Sequence, residues 1–272
     1  MSRIPLAGVI GAPVGHSRSP RLHGTWLRDY GIAGHYVPLH VEAWDLERVL
    51  RVMPRMGFVG ANVTIPHKEA VLALADEVTD MAARIGAVNT LTFKDGRILA
   101  DNTDGYGFMA NLRQGAPDWR ADAGPALVLG AGGAARAVIV ALQDAGVPEI
   151  RLTNRTRARA EELAAEFGCA VQDWEKRAEG LGDLGLLVNT TALGMEGQAP
   201  LEMPLDGLPA GALVTDIVYT PLDTPLLCDA RARGLQAVDG LGMLLHQAVP
   251  GFERWFGRRP EVTDSLRAAV LG

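Results

Sequence analysis

With 272 residues, 48% of them apolar and 21% charged, the chain is long for one compact core and suits two domains, with little scope for extended disorder. A net charge of −6 argues against general affinity for nucleic acid, no apolar run reaches bilayer-spanning length, and the start Met1-Ser2-Arg3-Ile4-Pro5 lacks a signal-peptide pattern. The two cysteines, Cys169 and Cys228, lie outside any CxxC spacing, which excludes a disulfide framework and a zinc site and fits a reducing cytoplasm; both read as small core residues.

Strand and helix signals alternate nearly throughout, which argues an α/β protein with parallel sheets. Leu6–Ile10 reads as an apolar strand, and a loop from Gly11 leads to Ser19-Pro20. Ser19 suits an N-cap and Pro20 the first turn of a helix that runs to about Tyr30 and ends at Gly31. A strand over Tyr36–His40, a helix over Ala43–Met53 and a strand over Phe58–Ile65 follow. Pro66 ends that strand because it cannot donate to a ladder, and a helix is expected from near His67. Lys94-Asp95-Gly96 marks a hairpin between Asn89–Phe93 and Arg97–Ala100.

The second domain opens with a linking helix over Gly105–Gln114 and a loop over 115–125. Strand Ala126–Leu129, the turn Gly130-Ala-Gly-Gly-Ala-Ala135, a helix to about Ala145 stopped by Gly146, and strand Ile150–Thr153 make a βαβ unit. Further strands are expected at Leu186–Asn189, Leu213–Tyr219 and Ala237–Val238, and helices at 157–167 and 224–233. Leu241–Phe256 and Asp264–Val270 read as closing helices packed back onto the first domain, giving boundaries of 1–103 plus 241–272 and 104–240.

Gly130-x-Gly132-x-x-Ala135 has the form of a dinucleotide fingerprint. Gly130 permits the tight strand-to-helix turn, Gly132 lets a pyrophosphate approach the backbone, and the phosphates lie over free N–H groups at a helix N-terminus. A glycine-rich turn can be only a turn, but here a strand precedes it, a helix follows and the next strand arrives on schedule. That next strand ends in Thr153-Asn154-Arg155-Thr156, with Arg157 and Arg159 beyond, where an NAD site usually places a carboxylate. A guanidinium can instead hold a 2′-phosphate, so NADP is the expected cofactor; Arg157 reads better as decoration on the helix surface.

Of the 26 basic residues only Lys68, Lys94 and Lys176 are lysines. Lys94 and Lys176 have easy surface readings. Lys68 does not: it stands in Asn62-Val-Thr-Ile-Pro-His-Lys68, past the end of an apolar strand, where α/β proteins bind ligands and where a partly desolvated lysine suits proton transfer near neutral pH. The cluster Asp101-Asn-Thr-Asp-Gly105 offers a carboxylate to orient it, although Asp104 would serve equally as a helix cap. His16 reads as a loop residue and His67 as local packing, and nothing is spaced to bind a metal.

Ser17-Arg-Ser19, Asn62-Val-Thr-Ile-Pro-His-Lys68, Gly86-Ala-Val-Asn-Thr90, Asp101-Asn-Thr-Asp-Gly105, Gly130-Ala-Gly-Gly, Asn154-Arg-Thr156 and Asp239-Gly-Leu-Gly-Met243 together resemble the ordered motif set of the shikimate dehydrogenases, from near residue 8 to about 250. The resemblance implies a substrate-binding α/β domain and a Rossmann-type NADP-binding domain with a cleft between them. It implies a Lys68–Asp104 dyad, with Ser17 and Ser19 on the substrate carboxylate. Thr64, Asn89, Asp104, Tyr219 and Gln247 would hold hydroxyls or close the pocket. Toward the cofactor it implies Asp80, Gly130, Ala131, Gly132, Gly133, Ala134, Asn154, Arg155, Thr156 and Arg159, with Ile217 and Gly240 along the nicotinamide. By sequence alone Asp80 is an ordinary helix-surface acid.

The expected reaction is reversible reduction of 3-dehydroshikimate to shikimate, without metal. A quinate-degrading, NAD-using relative is disfavoured by the basic stretch after Thr153. A one-carbon folate dehydrogenase is disfavoured by the low aromatic content, and a catalytically idle cofactor sensor by an intact Lys68 and Asp104. The sequence leaves monomer and homodimer open.

Overall fold

A computed structural model of the chain describes residues 4–272, which form two compact units, one running to Asp104 and resuming over Leu244–Gly272, the other Gly105–Met243. The first unit contains β1 (Leu6–Gly11), α1 (Ser19–Asp29), β2 (His35–His40), α2 (Leu46–Val52), β3 (Phe58–Val63), β4 (Glu77–Val78), α3 (Asp80–Ile85), β5 (Thr90–Lys94) and β6 (Arg97–Asp101). Its sheet has the order β2-β1-β3-β5-β6-β4. β1 runs parallel to β2 and β3, whereas β5 is antiparallel to both β3 and β6, so this sheet is mixed, and it contains the hairpin expected at Lys94-Asp95-Gly96. Asp95 and Gly96 both take positive φ, 51° and 77°, which is the two-residue turn that reverses a right-twisted strand pair.

The second unit contains α4 (Asp104–Gly115, entering from the first unit), β7 (Ala126–Leu129), α5 (Gly133–Ala145), β8 (Ile150–Thr153), α6 (Arg157–Phe167), β9 (Ala170–Val171), β10 (Leu186–Asn189), β11 (Leu213–Asp216), α7 (Pro225–Ala232) and β12 (Gln236–Val238). The sheet order is β12-β11-β10-β7-β8-β9, parallel throughout. β7, β10 and β11 are buried at every position because helices cover both faces of such a sheet; β7 is apolar throughout, whereas β10 ends in Asn189 and β11 in Thr215-Asp216. β7 is the switch point from which strand order departs both ways, and ligands bind beyond the carboxyl ends of strands at such a point.

The chain closes with α8 (Leu241–Phe256) and α9 (Asp264–Leu271). Trp255 of α8 packs where Gly60 of β3 has no side chain: a Cβ there would stand 1.9 Å from the indole nitrogen, which donates to Leu91 O at 2.9 Å. Around it lie Trp26, Tyr36, Phe252 and His23, whose ring stacks on Tyr36 at 3.9 Å. Neither His23 ring nitrogen has a hydrogen-bond partner, and burial pushes its pKa down to about 3, so it packs as a neutral aromatic.

Several elements differ from the sequence expectation for definite reasons. Ser19 is the first residue of α1 and Arg18 takes the cap position; Ser19 is buried there and caps no helix amide. The helix expected from His67 is a turn followed by a 3₁₀ segment, Ala70–Leu74. The Lys68 carbonyl accepts from Val88 N at 2.7 Å, and Leu72 N turns to Glu69 O. The expected helix Ala43–Met53 is α2 flanked by 3₁₀ turns at Ala43–Asp45 and Met53–Met56. β11 stops at Asp216, not Tyr219, because Val218 N folds back onto the Asp216 carboxylate. β4 and β9 have no counterpart in the sequence reading, which put Asp80 on a helix without giving α3 its bounds. Cys169 is half-buried, but Cys228 is exposed, rotated away from Leu226, Leu227 and Ala230, which face the core.

Candidate active site

In the first unit the ends of β3, β5 and β6 and the start of α4 converge. Lys68 Nζ donates to Asp104 Oδ2 at 2.5 Å, the lysine side chain being 20% exposed and the aspartate 8%. Asp104 opens α4, yet its carboxylate does not cap that helix. Its second oxygen accepts from Asn89 Nδ2 at 2.7 Å, and its own N–H donates to Asn102 Oδ1 at 2.9 Å. The site near a helix N-terminus also favours its negative charge.

Asn89 is the hub. Its amide nitrogen also donates to Gln247 Oε1 at 3.1 Å, and its amide oxygen accepts from Thr90 Oγ1, Thr103 N and Thr103 Oγ1 at 2.9, 2.8 and 3.1 Å. Thr103 Oγ1 in turn reaches the Gln247 carbonyl at 2.8 Å, pinning α8 to the group. Asn62 extends it, donating to Asn89 O at 3.1 Å and accepting from the Tyr36 phenol at 2.7 Å. Lys68, Asp104, Asn89 and Gln247 are therefore one bonded cluster, which Asn62 extends to Tyr36.

Ser17 Oγ accepts from Ser19 N at 3.3 Å, which fixes the two serines to one another at the entry to α1. Thr64 is half-buried just past β3, its N–H on Ile10 O at 2.9 Å and its methyl filling the place where Gly11 lacks a Cβ. His67 is buried with Nε2 2.7 Å from Val41 O, a packing role, while His16 is an exposed loop residue. Asp80 is exposed in the first turn of α3, where Thr79 supplies the cap; nothing bonds it to the Asp104 cluster.

In the second unit a cavity of about 200 Å³ is lined by Gly130, Ala131, Gly132, Asn154, Arg155, Trp174, Thr190–Leu193 and Gln198. Gly130 has φ +106° and a Cβ there would stand 2.8 Å from Thr190 Oγ1, so glycine is required twice over. At Gly132 and Gly133 a Cβ would meet nothing within 4 Å, which leaves open space at the N-terminus of the thirteen-residue α5. That open space beside free helix N–H groups fits a pyrophosphate. Asn154 Nδ2 holds the turn by donating to Thr156 O at 2.9 Å. Arg157 is engaged with Glu161 and Asp173, whereas Arg155 and Arg159 are exposed without an ion pair among the described residues. Arg155 lines the cavity, and an uncommitted guanidinium there suits the extra phosphate of NADP.

Ile217 and Gly240 adjoin: a Cβ on Gly240 would lie 2.3 Å from Ile217 O, so that glycine backs directly onto the 217–218 peptide. Tyr219 follows, half-buried. Thr190–Leu193, Gln198 and Trp174 escaped the sequence reading. For the first four a signal existed, since they follow the strand neighbouring β7 at the switch point; Gln198 and Trp174 carried none.

A parallel sheet in Rossmann order with a phosphate-ready helix, together with a lysine–carboxylate pair, defines a nicotinamide-dependent dehydrogenase. Family models agree segment by segment: the shikimate dehydrogenase substrate binding domain matches residues 9–91, shikimate / quinate 5-dehydrogenase residues 118–193, and the shikimate 5′-dehydrogenase C-terminal domain residues 240–271. The NADP(+) shikimate dehydrogenase of Paracoccus denitrificans is 67% identical over 98% of this chain and 96% of its own. Among solved structures, shikimate 5-dehydrogenase of Thermus thermophilus, in complex with NADP(H) and shikimate, has a TM-score of 0.88 at 40% identity, covering 99% of both chains. Quinate dehydrogenase of Corynebacterium glutamicum in complex with NAD has 0.91 at 31%, covering 98% and 99%. The chain belongs to the shikimate dehydrogenase family, and it is an NADP-dependent oxidoreductase acting on a CH–OH group. No helix among the described residues is long and apolar enough to cross a membrane.

Proposed function

We propose that Lys68 and Asp104 are the proton-handling pair of a reversible reduction of 3-dehydroshikimate to shikimate, with the first unit holding substrate and the second holding NADP(H). The observation that carries this is the 2.5 Å contact between a mostly buried ammonium and a carboxylate fixed on its other side by Asn89. NADPH supplies the hydride. Lys68 then meets the alkoxide that develops at the ketone oxygen and delivers a proton to it, while Asp104 keeps the ammonium aimed.

Ser17 and Ser19 bind the substrate carboxylate without a large positive charge, and Thr64, Asn89 and Gln247 serve ring hydroxyls, with Tyr219 closing over them. Gly130–Ala134 hold the pyrophosphate, and Asn154, Arg155, Thr156 and Arg159 the adenosine 2′-phosphate. Ile217 and Gly240 flank the nicotinamide, and Asp80 contributes a cofactor contact. Two free thiols and a small anionic metabolite as substrate favour the cytoplasm, and a homodimer is compatible with this reading.

Initial-rate kinetics on shikimate and quinate, each with NADP and NAD, test it. The expected result is the highest kcat/KM for shikimate with NADP. A preference for quinate with NAD would transfer the chain to the quinate-degrading branch that the Corynebacterium structure represents.

A further inference from the structure

At the carboxyl ends of β10 and β11, Asn189 and Asp216 stand in register on neighbouring strands, and both are fully buried. Three donors converge on the Asp216 carboxylate. Oδ1 accepts from Asn189 Nδ2 at 2.9 Å and from Val218 N at 3.0 Å, and Oδ2 accepts from Thr224 Oγ1 at 2.8 Å. Among the described residues no cation is bonded to it, so its charge is held by neutral donors, and burial raises its pKa to about 6. An acceptor-only group satisfies all three donors; an amide in its place would turn a donor on one of them.

Each donor belongs to a different functional segment. Asn189 organises the loop that lines the phosphate cavity: its Oδ1 accepts from Thr191 N and Oγ1 at 3.0 and 2.7 Å, and its Nδ2 reaches Leu193 O at 3.2 Å. Val218 N lies in the segment carrying Ile217 and Tyr219, and Ile217 N itself donates to Asn189 O at 3.1 Å. Gly240 closes on that same peptide from the other side. Thr224 caps α7, accepting from Leu227 N at 3.4 Å, and so ties the clasp to the scaffold.

We propose that Asp216 is a positioning residue for hydride transfer: through Asn189 and Val218 it fixes the Thr190–Leu193 loop and the 217–219 segment relative to each other, and thereby the phosphate end of the cofactor relative to its nicotinamide end. The inference rests on the reading of the Gly130–Gly132 cavity and Ile217 as cofactor contacts. It touches neither cofactor nor substrate, and it assigns no chemistry to the carboxylate.

The test compares the wild type with Asp216→Asn in three measurements: the Kd of 2′,5′-ADP, which probes the phosphate half alone; kcat; and the primary isotope effect with NADPH deuterated at the transferred position. Loosening the 217–219 segment by a fraction of an ångström should lower kcat by about 10- to 100-fold. The isotope effect should rise as hydride transfer becomes rate-limiting, while 2′,5′-ADP affinity stays within about 3-fold. An unchanged kcat and isotope effect in the folded variant would overturn the inference, as would a loss of kcat matched by loss of 2′,5′-ADP binding. Failure of the wild type to bind 2′,5′-ADP would overturn the reading beneath it, and the inference with it. Where Asp216→Asn does not fold, Thr224→Val removes one of the three donors without touching the cavity loop and carries the same expectations.

Discussion

Around Asp104 the polar side chains of the cluster hold one another in place, whereas around Gly132 the protein leaves room. Asn89 uses both its amide groups internally, Asp104 uses both oxygens, and Lys68 is committed to one of them. In the second unit the space over Gly132 and Gly133 is open, and Arg155 and Arg159 have no ion pair among the described residues. The contrast follows from what each region handles. Proton transfer needs a donor whose position does not depend on the ligand, and preorganisation inside a bonded cluster supplies that. Phosphate recognition needs vacant N–H groups and guanidinia, which the anion itself completes.

The contrast is broken or sharpened by four measurements. Lys68→Ala should cost the most, about 10²- to 10⁴-fold in kcat, with shikimate binding by calorimetry kept within a few-fold; retention of most activity would remove proton transfer from this residue. Gly132→Ala should weaken NADPH binding by roughly 10-fold or more through contact with the pyrophosphate. The new methyl meets nothing within 4 Å and the backbone there is extended at φ −102°, so Tm should hold or rise slightly. A variant that binds NADPH normally would show that the open space is not where phosphate lies.

Arg155→Ala should raise the KM for NADPH by about 10-fold, the worth of one charge-assisted bond, and leave the KM for NADH unchanged. Equal effects on both coenzymes would detach Arg155 from the 2′-phosphate.

The smallest effect concerns the packing behind the cluster. His23 is held neutral with its pKa lowered from 6.5 to about 3, so its contribution is fully present above pH 6.5 and is lost as pH falls through that value toward 3. Between pH 6.5 and 5 the loss amounts to about 2 kcal/mol. His23→Phe should remove that acid sensitivity from thermal melts and raise Tm at neutral pH, since two unpaired buried nitrogens disappear. A melt with the same pH slope as the wild type would contradict the assignment.

Much of this was readable in one dimension because it depends on local rules. The Asp95-Gly96 turn, the Gly146 stop of α5, the fingerprint glycines and the all-apolar β7 are each dictated by backbone sterics or by the burial of a central parallel strand. Lys68 stood out because the chain otherwise writes its positive charge as arginine. What the sequence could not decide were choices between partners. Ser19 suits an N-cap, yet Arg18 takes the cap and Ser19 is buried in the first turn, and Asp104 suits a cap as well, yet its carboxylate goes to Lys68 and Asn89. Lys68 stands on a turn rather than a helix because its carbonyl is taken by Val88, twenty positions on. Asn189 read as the end of a strand and Asp216 as the middle of one, and they became a clasp only once their strands lay side by side. A polar group offers the same donors and acceptors wherever it stands in the sequence, and only the folded neighbourhood selects which of them are used.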